Sequence, residues 1–86
     1  MTLPELVGLS EEEVARLLGT ADTLREEPPA TIWGYRADTC ALDLFFYMDM
    51  ESRSFRALAY DVTTTDGAKG DPALNACLKR IMDRRR

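Results

Sequence analysis

The ten residues from Cys40 to Asp49 constrain the fold most, because their apolar side chains alternate along the chain. One set of alternate positions is entirely apolar and consists of Cys40, Leu42, Leu44, Phe46 and Met48. The other set consists of Ala41, Asp43, Phe45, Tyr47 and Asp49. Successive side chains of a β-strand point to opposite faces of a sheet. The segment therefore predicts a strand from Cys40 to Met48 with its first set of side chains in the core.

Two further segments are typical of strands. Thr31–Arg36 is rich in β-branched and aromatic residues, and Phe55–Val62 is a mainly apolar run whose alternation does not assign its faces. Short connections between the three segments predict a three-stranded antiparallel meander. Residues 21–25 read as either a weak strand or an extended link, and residues 26–30, with two prolines, as a loop.

A helix is expected at each end of the chain. Ser10 and Glu13 have the spacing of a capping box, which predicts a helix from about residue 11 that ends at Gly19. Asp71 and Pro72 supply an N-cap and a first helical residue for a second, amphipathic helix to about residue 84. The predicted fold is a single α+β domain over residues 1–86, with the C-terminal helix packed on the sheet.

Cys40 and Cys77 are the two cysteines of the chain. One begins the predicted core face of the central strand, and the other lies on the apolar stripe of the second helix, so both are expected to point inward. A disulfide between them would stabilise a domain this small by roughly 3 to 4 kcal/mol and would indicate an oxidising compartment. The alternative is two reduced, buried cysteines that act as small apolar side chains.

The residue types of most catalytic and metal sites are missing. The chain has no histidine, which excludes His-based triads and histidine metal ligands, and two cysteines do not complete a zinc site. The glycines match neither a P-loop nor a dinucleotide fingerprint. Asp43, Asp49 and Asp61 lie on neighbouring predicted strands, and two carboxylates can act as general acid and general base. A small hydrolase that uses such a pair is therefore one hypothesis for the function. We predict that the chain is not an enzyme and that it binds no cofactor and no metal.

The second face of the central strand suggests a protein interface. The candidate residues are Trp33, Tyr35, Arg36, Phe45 and Tyr47. Phe45 and Tyr47 come from the central strand, and the others come from the strand before it. Aromatic residues and arginine are enriched at the energetic centres of interfaces. The alternative is that a helix or the Pro28-Pro29 loop covers this face.

Charge is unevenly distributed, with an acidic N-terminal part, a basic tail and a formal net charge of -4. The bases of the tail are Lys79, Arg80, Arg84, Arg85 and Arg86. They either complement the negative end of the second helix or contact phosphates. The first interpretation is favoured because no aromatic residue is interleaved with them, so no nucleic-acid partner is predicted.

No apolar stretch approaches the length of about 20 residues that a membrane-spanning helix needs. Met1–Glu5 also lacks the basic and apolar regions of a signal peptide. We therefore expect no membrane span, and we expect that an exported protein of this sequence has lost a signal peptide or lipid anchor upstream.

Three segments together resemble a known family. They are Gly8-Leu9-Ser10-x-x-x-Val14-x-x-Leu17-Leu18-Gly19-Thr20, Ile32-Trp33-Gly34-Tyr35 and the apolar strand from Leu42 to Tyr47. Over about residues 6–62 the chain resembles the SmpA/OmlA family, which includes the small lipoprotein of the outer-membrane β-barrel assembly machinery. The resemblance implies an envelope protein whose helices pack on a three-stranded sheet and which works by binding other proteins. Ala21 stands where the family usually has proline, and the cysteine-bearing terminal helix is not part of the family pattern.

These observations predict a non-catalytic protein-binding or scaffolding module of the periplasm or of the periplasmic face of the outer membrane. Its partner is expected to be another protein. The alternative is a cytosolic adaptor or regulatory subunit with reduced cysteines, whose basic tail contacts nucleic acid.

Overall fold

The computed structural model describes residues 6–84 and contains two helices and four strands. The elements in chain order are α1 (Glu11–Leu18), β1 (Thr23–Glu27), β2 (Ala30–Arg36), β3 (Cys40–Asp49), β4 (Ser54–Thr64) and α2 (Gly70–Arg84). The strands form one antiparallel sheet in the order β1-β2-β3-β4, so the predicted α+β class and meander are confirmed. No helix among the described residues is long and apolar enough to cross a membrane.

The sheet has four strands where the sequence predicted three. The additional strand is β1, which lies at the edge of the sheet and includes Glu26 and Glu27 of the predicted loop. All five of its residues are exposed, so its side chains carry no apolar alternation from which a strand could be predicted. Glu27 pairs with Ala30, which leaves Pro28 and Pro29 as a two-residue turn. Proline is compatible with that position because the turn residues donate no ladder hydrogen bond.

Strand β4 contains a bulge that changes the phase of its side chains. Phe46 pairs with Ala57 and Phe45 pairs with Ala59, so Leu58 is an extra residue. A bulge of this kind shifts the alternation by one residue. Ala57 and Tyr60 therefore face the same side of the sheet although three positions separate them, which is why sequence alternation did not assign the faces of this strand.

Helix α1 has the predicted capping box. The Ser10 backbone N–H donates to Glu13 Oε1 at 3.0 Å, and the Glu13 backbone N–H donates to Ser10 Oγ at 3.2 Å. Gly19 follows the helix with a φ of 82° and donates its N–H to the Ala15 carbonyl. Helix α2 begins at Gly70, so Asp71 lies in its first turn, where its carboxylate accepts a hydrogen bond from the Tyr60 hydroxyl at 3.0 Å.

Both helices pack on one face of the sheet. Their buried side chains form a single cluster with alternate residues of the strands. Its members are Leu6, Val14, Leu18, Tyr35, Cys40, Leu42, Leu44, Phe46, Ala57, Cys77, Leu78 and Ile81. We call this side of the sheet the helix face. The opposite side, which carries Ile32, Phe45 and Tyr47, is called the open face because neither helix packs on it.

Candidate protein interface

The strand register places four residues side by side in each row across the open face. One row is Thr23, Gly34, Asp43 and Asp61, and the next is Arg25, Ile32, Phe45 and Ala59. Tyr47 follows on β3, opposite Arg56 of β4. Residues directly opposite on neighbouring strands have Cβ atoms about 4.5 to 5.5 Å apart. The row that contains Ile32 and Phe45 therefore lies next to the row that contains Asp43 and Asp61, which we call the acidic row.

The centre of the open face is apolar and partly shielded by its own side chains. Ile32 is only 4% exposed although neither α1 nor α2 covers it. It lies directly opposite Phe45, which is itself half-buried, as is Tyr47. Strands of an antiparallel sheet that face water usually alternate apolar and polar residues. The aromatic residues at these two outward positions depart from that pattern and mark the surface as a candidate for burial against another molecule.

The charges of the open face lie to one side of this apolar centre. Asp43 is directly opposite Asp61 across the β3–β4 pair. The Arg25 guanidinium lies 4.0 Å from Asp43 Oδ2 and 3.2 Å from Glu27 Oε2, so two carboxylates share it. All three side chains of this group are between 40% and 59% exposed, which leaves their charges well hydrated.

Arg36, Phe45 and Tyr47 lie on the open face as the sequence predicted. Trp33 and Tyr35 do not join them, because the β2–β3 register places them opposite Leu44 and Leu42 on the helix face. Tyr35 is fully buried and its hydroxyl donates to the Gly19 carbonyl at 2.8 Å. The Tyr35 ring thus anchors the segment after α1 and is not available as an interface residue.

Trp33 packs within the helix layer. Its ring centroid lies 4.8 Å from that of Phe46, and its Nε1 atom is buried without a hydrogen-bond acceptor among residues 6–84. The sequence grouped this residue with the open face because the direction of each β2 side chain depends on the register with β3, which no local pattern reveals. Ile32 was missed for the same reason, and Arg25 was missed because the sequence left residues 21–25 as either a weak strand or an extended link.

The predicted pairing of Cys40 with Cys77 is confirmed. Their sulfur atoms are at disulfide distance and their Cα atoms are 5.8 Å apart, and the two residues are separated by 37 positions in the chain. Both residues are buried, at 8% and 1% exposure. The bond ties α2 to the start of β3 on the helix face. Disulfides are typical of proteins from oxidising compartments.

The aspartates named for acid-pair chemistry lie in two places. Asp43 and Asp61 are neighbours on the open face, whereas Asp49 ends β3 and accepts a hydrogen bond from the Ser52 hydroxyl at 2.9 Å. The described part of the chain contains no group of three or more His, Cys, Asp or Glu side chains arranged to hold a metal ion. The Asp43–Asp61 pair lies on an open sheet surface, where it can attract a cation.

The basic tail is partly folded back onto the sheet. The Arg84 guanidinium pairs with Asp22 Oδ2 at 2.7 Å and also donates to the Arg36 carbonyl. The Arg36 backbone N–H donates to the same Asp22 oxygen at 2.7 Å. This backbone hydrogen bond, followed by the one from Arg84, lowers the pKa of Asp22. Lys79 and Arg80 are exposed on α2, and Arg85 and Arg86 lie outside the described residues.

No family model, no curated protein and no solved structure matches this chain. The resemblance to the SmpA/OmlA family therefore stays a prediction.

Proposed function

We propose that this chain is a non-catalytic protein-binding module of the bacterial cell envelope and that it binds its partner through the open face. The observation that carries the proposal is the one-sided covering of the sheet. Both helices and the disulfide lie on the helix face, whereas Phe45 and Tyr47 point away from them. Transfer of these two aromatic side chains from water into an interface with another protein would contribute favourably to the free energy of binding.

The proposed compartment rests on the disulfide and on the family resemblance. A buried disulfide that closes a long loop fits a domain that works where thiols are oxidised. The resemblance to the SmpA/OmlA pattern favours the periplasm or the periplasmic face of the outer membrane.

Affinity capture from the envelope fraction of the native host tests the proposed binding surface. The bait is the disulfide-bonded chain, compared with Phe45→Ser/Tyr47→Ser. Loss of two aromatic hot spots is expected to weaken partner binding by at least about 30-fold. The matched control is Leu24→Ser/Met50→Ser, which changes two apolar residues that are 61% and 79% exposed outside the open face. Equal loss of binding in both double variants would contradict the proposal.

Alkylation of the native protein at the moment of lysis tests the compartment. The proposal predicts that Cys40 and Cys77 react only after reduction. If both thiols react without reductant, the cytosolic adaptor is favoured instead.

A further inference from the structure

The acidic row of the open face restricts which partner can cover it. Asp43 and Asp61 are directly opposite each other on β3 and β4. Like charges at directly opposed positions destabilise an antiparallel pair. The pair is tolerated here because both carboxylates face water.

The chain supplies little positive charge to this pair. Arg25 approaches Asp43 only to 4.0 Å and lies nearer Glu27, at 3.2 Å. Arg36, in the adjacent row, makes no ion pair with either carboxylate among residues 6–84. Asp61 has no ion pair among residues 6–84. The acidic pair is therefore incompletely neutralised within the described chain.

The acidic pair lies inside the footprint that a partner of the open face would cover. Asp43 and Phe45 are two residues apart on the same face of β3, which places them about 6.7 Å apart. A partner that covers Ile32 and buries Phe45, which is half-buried in the free protein, thus also removes water from Asp43. Burying carboxylates without a cation is strongly unfavourable.

We propose that the partner of the open face is a protein segment that places an arginine or lysine over Asp43 and Asp61, with an apolar side chain beside it over Ile32 and Phe45. In an extended partner segment these two residues would be two positions apart, because alternate side chains share a face. Arginine fits best, since its planar guanidinium can bind two carboxylates at once. This inference rests on the proposed function and specifies the partner's chemistry.

Photo-crosslinking in the native host tests this pairing. p-Benzoylphenylalanine replaces Tyr47, which keeps an aromatic group on the open face, and the cross-linked partner peptide is mapped by mass spectrometry. We expect an Arg or Lys close to the cross-linked residue. Asp43→Asn/Asp61→Asn should reduce the yield at least about tenfold, as expected when one side of a buried charge pair is removed. Asp38→Asn/Asp83→Asn, which changes two exposed acids outside the open face, should leave it unchanged.

The other possible results contradict either the charge pairing alone or the proposed binding through the open face as well. An unchanged yield in Asp43→Asn/Asp61→Asn, or a mapped segment without a basic residue, would overturn the charge pairing and leave the proposed function standing. A cross-link to a second copy of this chain would replace the basic partner by a homodimer. Absence of any specific cross-link from Tyr47 would overturn both proposals. Thermal melting of the variants separates misfolding from lost binding, and the single variant Asp61→Asn gives the same test at an exposed position.

Discussion

The lack of a side chain at Gly34 allows β1 and β3 side chains to meet above β2 on the open face. A Cβ atom built at this position would lie 2.2 Å from Thr23 Oγ1 and 3.1 Å from Asp43 Oδ1. The first distance is far below van der Waals contact, so the Thr23 side chain occupies the space that any other residue would need. The glycine thus determines how the acidic row of the open face packs.

Gly34→Ala should therefore lower the free energy of unfolding by about 1 to 3 kcal/mol, the usual range for overpacking. Thr23→Ala/Gly34→Ala should recover most of this loss because Oγ1 is removed. Urea denaturation of the wild type, both single variants and the double variant gives the coupling energy. Equal stability of Gly34→Ala and the wild type would show that Thr23 does not occupy this space.

The lowered pKa of Asp22 should make the free energy of unfolding depend on pH. Its pKa is lowered by the Arg36 backbone N–H and by Arg84, so the ionised carboxylate stabilises the folded state. That contribution is complete above the unfolded pKa of about 3.9 and is lost as the pH falls through the lower folded pKa. The ion pair is more than one-third exposed, so we expect less than about 1 kcal/mol.

The stability difference between the wild type and Asp22→Asn should consequently be larger at pH 6 than at pH 2. Arg84→Gln should reduce this pH-dependent difference without abolishing it, because the backbone donor remains. Urea denaturation at both pH values provides the measurement. A difference that is the same at both values would show that Asp22 titrates alike in the folded and unfolded chain.

At the scale of the elements, strong local patterns were predictable and pairings were not. The alternation of β3, the capping box of α1 and the apolar stripe of α2 are each contained in a short stretch of sequence, and all three elements were predicted. Strand β1 has no apolar side of its own, and backbone hydrogen bonds to β2 hold it in the sheet. The bulge at Leu58 and the helix-face position of Trp33 likewise depend on register with a neighbouring strand. Of the candidate interface, the sequence therefore predicted Phe45 and Tyr47 on β3 and Arg36 on β2, whereas Trp33 and Tyr35 were assigned to the wrong face.

The disulfide should make a large contribution to the stability with which α2 is held on the sheet. It joins two residues that are 37 positions apart in the chain and holds α2 on the sheet. Cys40→Ala/Cys77→Ala should lower the free energy of unfolding by roughly 3 to 4 kcal/mol, mainly because the unfolded chain gains freedom. Urea denaturation should give a similar loss for the wild type in reductant. Equal denaturation midpoints for the variant and the oxidised wild type would show that α2 is held by packing alone.

The molecule as a whole is a two-layer domain in which folding and the proposed binding use opposite faces of one sheet. The fully buried side chains that α1 and α2 contribute all belong to the helix face, whereas Phe45 and Tyr47 are half-buried on the other side. Substitutions of Phe45 or Tyr47 should therefore change stability less than equivalent changes in the core. This separation allows binding to be tested without unfolding the domain.

Fluorine NMR of the chain labelled with 3-fluorotyrosine can show which face of the sheet the partner covers. The three tyrosines report on three environments: Tyr35 in the core, Tyr60 beside α2 on the helix face and Tyr47 on the open face. On titration with the captured partner, we expect the Tyr47 resonance to shift or broaden while those of Tyr35 and Tyr60 stay in place. A shift of the Tyr60 resonance with an unchanged Tyr47 resonance would place the partner on the helix face and rule out binding through the open face.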